Sequence, residues 1–228
     1  MREFSIDKSE VYRYLGYNPK EHTLSEEIKR LTDICIGEVF KVASPKTICS
    51  PFLLLKNEGE KLYAESLLLD GNDIREHLKN CSHAVLIGAT LGAGIDALIR
   101  KYEAIDMTKA VILDSSANVL VEDIADSLEE ELREKLLSEQ RYLTSRFSAG
   151  YGDFPISTQS EIIRITDAPR KAGLTVTAEN IMIPRKSITA VMGISDIEVK
   201  GKLAGCNSCV LKDKCIYRKK GKSCAISD

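Results

Sequence analysis

The chain has 228 residues, 43% hydrophobic and 29% charged, with a formal net charge of −2, the balance of a water-soluble globular protein. A chain of this length buries roughly 70–75% of the surface its unfolded form exposes, enough for one large domain or two small intimate ones. Its longest apolar run, AVLIGATLGAGIDALI, is broken by glycines and Asp96 and is too short to span a bilayer, and the N-terminal MREFSIDKSEVYRYLGY has no apolar signal core, so a cytoplasmic protein is expected.

The elements follow in chain order. DKSEVYRYLG reads as a first helix, with Asp7 and Glu10 in a capping pattern and Gly16 and Pro19 as the stop. TLSEEIKRLTDICIGEVFKV reads as a second, with Leu24, Ile28, Leu31, Cys35 and Val39 at helical spacing. KTICSPFLLLKN and KLYAESLLL flank NEGE as a β-hairpin with Gly59 at its turn. DIREHLKN is a short helix, and HAVLIGA is a buried strand leading into a helix from about Ile95 to Tyr102. KAVILDSSANVLVEDIADSLEEELREKLLSEQ has a strand-like start and then the strongest helical stripe, Ala117, Val121, Ile124, Leu128, Leu132 and Leu136. Short helices are expected around QSEIIRI and APRKAG, then two strands, ENIMI and SITAVMGI, joined by PRK as a hairpin. Hairpins mixed with helices give the α+β class.

Charge divides the chain unevenly. Residues 200–228 hold eight Lys/Arg against two Asp/Glu, and the rest holds 24 against 32. That separates a body, residues 1–199, the span expected to form the functional domain, from a basic cysteine-rich tail, residues 200–228, which holds four of the seven cysteines. In the tail, Cys206, Cys209, Cys215 and Cys224 are spaced Cys-x2-Cys-x5-Cys-x8-Cys, a set suited to Zn or an Fe–S cluster. The plainer alternative is a lysine-rich tail of free thiols.

Enzymes with a side-chain nucleophile place a base beside it. The only histidines are His22, His77 and His83, each on or beside a short amphipathic segment where a surface or structural role is expected, and no catalytic residue is assigned. GATLGAG (Gly88, Gly92, Gly94) lies between a strand and a helix but matches neither nucleotide-binding spacing, so close packing is the expected use. SRFSAGYGDFPIST, residues 145–158, has no period of its own and carries Arg146, Gly150 and Tyr151 on an expected loop. A loop guanidinium suits a ligand carboxylate, glycine allows close backbone approach, and tyrosine adds a flat surface. On composition alone, an ordinary glycine turn with a solvated arginine explains the same residues.

RFSAGYGDFP resembles the Arg-x-x-x-Gly-Tyr motif of the activation (reactivation) domain of cobalamin-dependent methionine synthase. Other segments resemble that family in the same order: VYRYLGY of its stand-alone members, LIGATLGAGID, ILDSSANVLVEDIADSL and AGLTVTAENIMIPRKSITAVMGIS, together covering roughly residues 5–198. Members fused to the full synthase carry an aromatic-rich segment after the last of these, where this chain has GISDIEVKGK. The resemblance implies a curved domain with an antiparallel β-sheet flanked by helices. It implies S-adenosylmethionine held by Arg146, Phe147, Ser148, Ala149, Gly150 and Tyr151. In that set Arg146 binds the carboxylate, Ser148 to Gly150 offer backbone contacts, and Tyr151 packs along the ligand. Glu122 accepts from a ribose hydroxyl or ammonium.

The activity so implied is reductive methylation of an inactivated corrinoid, by a partner-dependent subunit that does not make methionine alone. Cobalamin is carried by a separate methionine synthase or related corrinoid protein, and the electron comes from a flavodoxin- or ferredoxin-type donor. Two other functions remain open on sequence. One is a metal-knuckle nucleic-acid-binding module, with Lys212, Lys214, Arg218, Lys219, Lys220, Lys222 and Tyr217, against which the acidic body argues. The other is a non-catalytic docking subunit of a corrinoid enzyme.

Overall fold

Asp7 starts the first helix, α1 (Lys8–Tyr14), by accepting the Ser9 N–H at 2.8 Å. The stop falls at Gly16, with φ +76°. The Ser25 hydroxyl caps α2 (Glu26–Val42), whose Thr32, Cys35 and Val39 are buried. The structure is a computed structural model and describes residues 4–17, 23–56 and 61–199. The cysteine set Cys206, Cys209, Cys215 and Cys224 lies outside the described residues, as do His22 and the turn at Gly59.

The first hairpin forms as expected. β1 (Lys46–Lys56) pairs antiparallel with β2 (Leu62–Ala64), Leu54 opposite Ala64. The KLYAESLLL run is two strands rather than one. Glu65 takes a left-handed φ of +56° and turns β3 (Leu67–Leu68) back onto β2. The short helix α3 (Asn72–His77), the buried strand β4 (His83–Thr90) and α4 (Ala93–Glu103) come next.

The strand-like start expected at KAVIL is instead the first part of a 32-residue helix, α5 (Met107–Ser138). Asp106 nucleates it: its carbonyl accepts the Ala110 N–H at 3.0 Å and its carboxylate accepts the Lys109 N–H at 3.0 Å. Ile112 and Leu113 then join the buried face with Ala117, Val121 and Ile124. After it come β5 (Tyr142–Leu143), α6 (Thr158–Ile165), α7 (Ala168–Ala172), β6 (Thr175–Val176), β7 (Met182–Ile183) and β8 (Ser187–Ser195).

The second expected hairpin is also corrected. β7 pairs with β6, not with β8. The PRK link is held elsewhere: the Arg185 N–H donates to Asp96 at 2.8 Å and the Lys186 carbonyl accepts the Leu91 N–H at 3.0 Å. Strand order in the main sheet is β3-β2-β1-β4-β8-β5, with β6-β7 a separate pair. This is an open α+β arrangement with antiparallel pairing, the class expected.

The described residues fall into two compact units. The first comprises those of Met1–Cys49, Ile87–Glu131 and Ile163–Thr189, the second those of Ser50–Leu86, Leu132–Ile162 and Ala190–Asp228. The core of the first gathers Cys35, Val39, Leu91, Ile95, Ile112, Leu113, Leu120 and Ile124. Each fully buried aliphatic side chain there contributes roughly 1.5–3 kcal/mol. GATLGAG serves close packing, as expected: a Cβ on Gly94 would stand 2.9 Å from the Val42 side chain, where α2 ends.

Two ammonium groups tie this unit together. Lys109 Nζ meets Glu38 at 2.7 Å and the Tyr102 hydroxyl at 2.8 Å. Lys186, buried, reaches Asp114 and the Asn118 side-chain carbonyl, each at 2.7 Å. Among the described residues no helix is long and apolar enough to cross a membrane.

Candidate functional site

SRFSAGYGDFPIST is a structured loop of the second unit, running from β5 to α6. Its entry is set by β8. Leu143 stands opposite Ile194, and Phe147 forms an isolated bridge opposite Val191. The loop side therefore spends one residue more than β8 between those two pairings, the arrangement of a β-bulge, which bends a strand and re-aims a side chain. Thr144, Ser145 and Arg146 lie in the bulge. The Thr144 N–H donates to the Gly193 carbonyl at 2.9 Å, and the Thr144 hydroxyl accepts the Gly193 N–H at 2.8 Å. Beyond it, Phe147 and Val191 exchange backbone hydrogen bonds at 2.9 and 2.8 Å.

The bulge takes the Ser145 carbonyl off the ladder, and His77 meets it. Nε2 of His77 lies 2.9 Å from that oxygen and 2.9 Å from the Thr144 hydroxyl. A carbonyl only accepts, so Nε2 carries the proton. The imidazole is 1% exposed and packs on Phe147, ring centroids 4.9 Å apart. The Thr144 hydroxyl reaches the same Ser145 carbonyl at 3.1 Å.

Past Phe147 the chain makes a tight double turn. The Tyr151 N–H donates to the Ser148 carbonyl at 3.2 Å, the Gly150 N–H to the Phe154 carbonyl at 2.9 Å, and the Phe154 N–H to the Tyr151 carbonyl at 3.0 Å. Gly150 takes φ +92°, and a Cβ there would press on Ile156 at 3.2 Å. A side chain in that left-handed conformation costs about 1–2 kcal/mol, so glycine is required for backbone reasons. Phe147, Ala149 and Phe154 are buried and anchor the turn, and Tyr151 is 53% exposed.

Asp153 ties the loop to α3. Its carboxylate accepts the Asn72 N–H at 2.7 Å and the Asp73 N–H at 2.9 Å, capping a helix whose own cap position, Gly71, has no side chain to offer. A Cβ on Gly71 would sit 2.7 Å from that carboxylate, and one on Gly152 would collide with the Asp73 carboxylate.

Arg146 is partly buried, with its Nη1 atom out of solvent. The bulge, the turn and α3 thus hold Arg146, Phe147, Ser148, Ala149, Gly150 and Tyr151 in one fixed loop of the second unit. Glu122 is exposed on α5, in the first unit. The Gly150 N–H and one lone pair of the Ser148 carbonyl are spent inside the loop, which narrows the backbone contacts expected there. His83 is structural, beside Ser82 and Arg141 at 2.9 and 3.2 Å.

His77 and Asp153 carry no motif. His77 had one readable signal, since it shares an apolar face of DIREHLKN with Ile74 and Leu78, all buried. Asp153 reaches a helix start about 80 residues earlier, a pairing no local pattern encodes.

Among the described residues no group of three or more His, Cys, Asp or Glu could hold a metal. Cys35, Cys49 and Cys81 are free thiols. Burial pushes the Cys35 and Cys81 thiols up to about 11.

Residues 75–199, more than half of the chain, match the family described as vitamin B12 dependent methionine synthase, activation domain. The chain belongs to this family. The match takes in the end of α3, with His77, the Arg146 loop and β8. Among solved structures the activation-domain chain is similar to a crystal structure of the MetH reactivation domain bound to AdoHcy, with a TM-score of 0.63 and 18% identity over 96% of this chain and 82% of that one. At that identity the likeness is one of fold. No curated protein matches the chain.

Proposed function

We propose that this activation-domain protein is an S-adenosylmethionine-binding reactivation subunit. It would support reductive methylation of the inactive corrinoid of a separate cobalamin-dependent methionine synthase or related corrinoid methyltransferase. The observation that carries this reading is the Arg146 loop: a guanidinium set by a bulge, with Nη1 out of solvent, followed by a turn that needs Gly150 and exposes Tyr151. That donor set fits a ligand with a carboxylate at one end and a flat body.

In this reading Arg146 grips the carboxylate with two parallel hydrogen bonds. Tyr151 packs along the ligand, and backbone groups of Ser148 and Ala149 still open to it supply the remaining polar contacts. Glu122 is proposed from the family resemblance alone, as an acceptor for a ribose hydroxyl or ammonium. S-adenosylmethionine supplies a methyl group on a sulfonium centre whose leaving group is a neutral thioether. The chain therefore need donate no proton, and its contribution is orientation, a proximity effect. Cobalamin comes with the partner, and the electron from a flavodoxin- or ferredoxin-type donor.

The decisive experiment mixes the protein with an oxidised corrinoid protein, a reductant and S-adenosylmethionine labelled in the methyl group. Transfer of label to the corrinoid that depends on this chain supports the reading, and no transfer above a chain-free control overturns it. A Zn or Fe–S site at Cys206, Cys209, Cys215 and Cys224 is proposed from spacing alone. Metal analysis of anaerobically purified protein tests it, and absence of both metals removes it.

A further inference from the structure

Arg146 sits in the one stretch between Leu143 and Phe147 where the ladder with β8 carries an extra residue. A bulge frees a side chain to point where regular pairing would not, but it also removes the backbone bonds that would fix that direction. In this loop the missing restraint comes from two side chains, His77 and Thr144, whose hydroxyl reaches the Ser145 carbonyl at 3.1 Å. His77 donates Nε2–H to the carbonyl of Ser145, the residue before Arg146, and lays its ring on Phe147, the residue after it. The Thr144 hydroxyl, which also touches Nε2, is locked in turn by the Gly193 N–H. Arg146 is thus bracketed by two contacts to the same buried imidazole, and α3, which carries that imidazole, is capped by Asp153 of the same loop.

We propose that His77 is a positioning residue for Arg146, holding the backbone on both sides of it so that the guanidinium meets a ligand carboxylate in one orientation. This rests on Arg146 being the carboxylate grip. A histidine that merely filled the core would lower stability when replaced but would not favour one ligand over another. A positioning histidine separates ligands by whether they carry the carboxylate.

The test measures binding of S-adenosylmethionine and of 5′-methylthioadenosine, which keeps the nucleoside and the methylated sulfur, now a neutral thioether, but lacks the whole amino-acid end and with it the carboxylate. His77→Phe keeps a ring against Phe147 and loses the donor, whereas His77→Gln keeps a donor near the Nε2 position. His77→Leu loses the donor and the ring together and serves as a second arm should His77→Phe fail to fold. For His77→Phe and for His77→Leu, S-adenosylmethionine should bind about three- to tenfold more weakly, the worth of one ordinary hydrogen bond or its equivalent in lost alignment. The affinity for 5′-methylthioadenosine should stay within twofold, and His77→Gln should keep S-adenosylmethionine affinity within twofold.

Equal losses for both ligands, or no loss for either, would overturn the proposal. Arg146→Ala measured alongside separates the two ideas. A selective loss there without one in His77→Phe and His77→Leu refutes the role of His77 alone. No loss in Arg146→Ala refutes the carboxylate grip and the role of His77 with it.

Discussion

Replacing Asp153 by alanine should loosen α3 from a distance. The carboxylate caps that helix start, accepting two backbone N–H groups at 2.7 and 2.9 Å, while Gly71 has no side chain to contribute. Loss of a helix cap costs about 0.5–2 kcal/mol, and the negative charge beside the helix N-terminus adds about 0.3–1 kcal/mol. Both contacts are solvent-accessible, which keeps the sum near 2 kcal/mol. For a chain of this size that is a fall in melting temperature of roughly 4–8 °C. Asp153→Asn retains one acceptor and should lose about half as much. Thermal melting followed by circular dichroism gives the total, and amide hydrogen exchange at Asn72 and Asp73 gives its location, since these two amides should lose protection first. An Asp153→Ala protein within 0.5 kcal/mol of the parent, with unchanged exchange at both amides, would refute the capping argument.

Three further outcomes follow from the first unit and from the thiols. Lys186→Met leaves Asp114 and Asn118 without their shared ammonium, and because Asp114 is partly solvated the loss should be about 1–2 kcal/mol in urea unfolding rather than the 3–5 kcal/mol of a fully buried pair; a neutral substitution would contradict the account. Cys49 is exposed while burial raises Cys35 and Cys81 to about 11, so at pH 8 alkylation mapped by peptide mass should mark Cys49 well ahead of both. The raised thiols are still protonated in the folded chain where the unfolded chain has ionised, so their contribution to stability is intact below about pH 9 and declines as the pH climbs towards 11. Stability that instead rises over that interval would contradict the burial of these thiols.

Most elements were readable because local signals agreed with tertiary use. Asp7 and Ser25 are caps by type and position, and Cys35 and Val39 share a helical face that is in fact buried. The misreadings arose where long-range contacts override local preference. Val111, Ile112 and Leu113 look like a strand, but Asp106 has already started a helix ahead of them. Met182–Ile183 and Ser187–Ser195 look like a hairpin, but Asp96 and Leu91 hold the link between them.

The site was legible at the residues that would touch a ligand, since Arg146, Gly150 and Tyr151 stand close together in sequence. What holds them was not. The bulge exists only through pairing with β8, and the contacts that brace the loop, His77 to Ser145 and Asp153 to Asn72, join residues about 70 to 80 apart in sequence. Glu122 is expected from resemblance alone, because its acidic neighbours on α5 give it no distinguishing local signal.

The central claim is that Arg146 binds the carboxylate of S-adenosylmethionine. Titration calorimetry of the full chain and of Arg146→Ala tests it most directly. A charged hydrogen-bonded pair is worth about 1.5–3 kcal/mol, so the parent should bind and the variant should bind roughly 10- to 150-fold more weakly. Equal affinity in the two proteins would contradict the account.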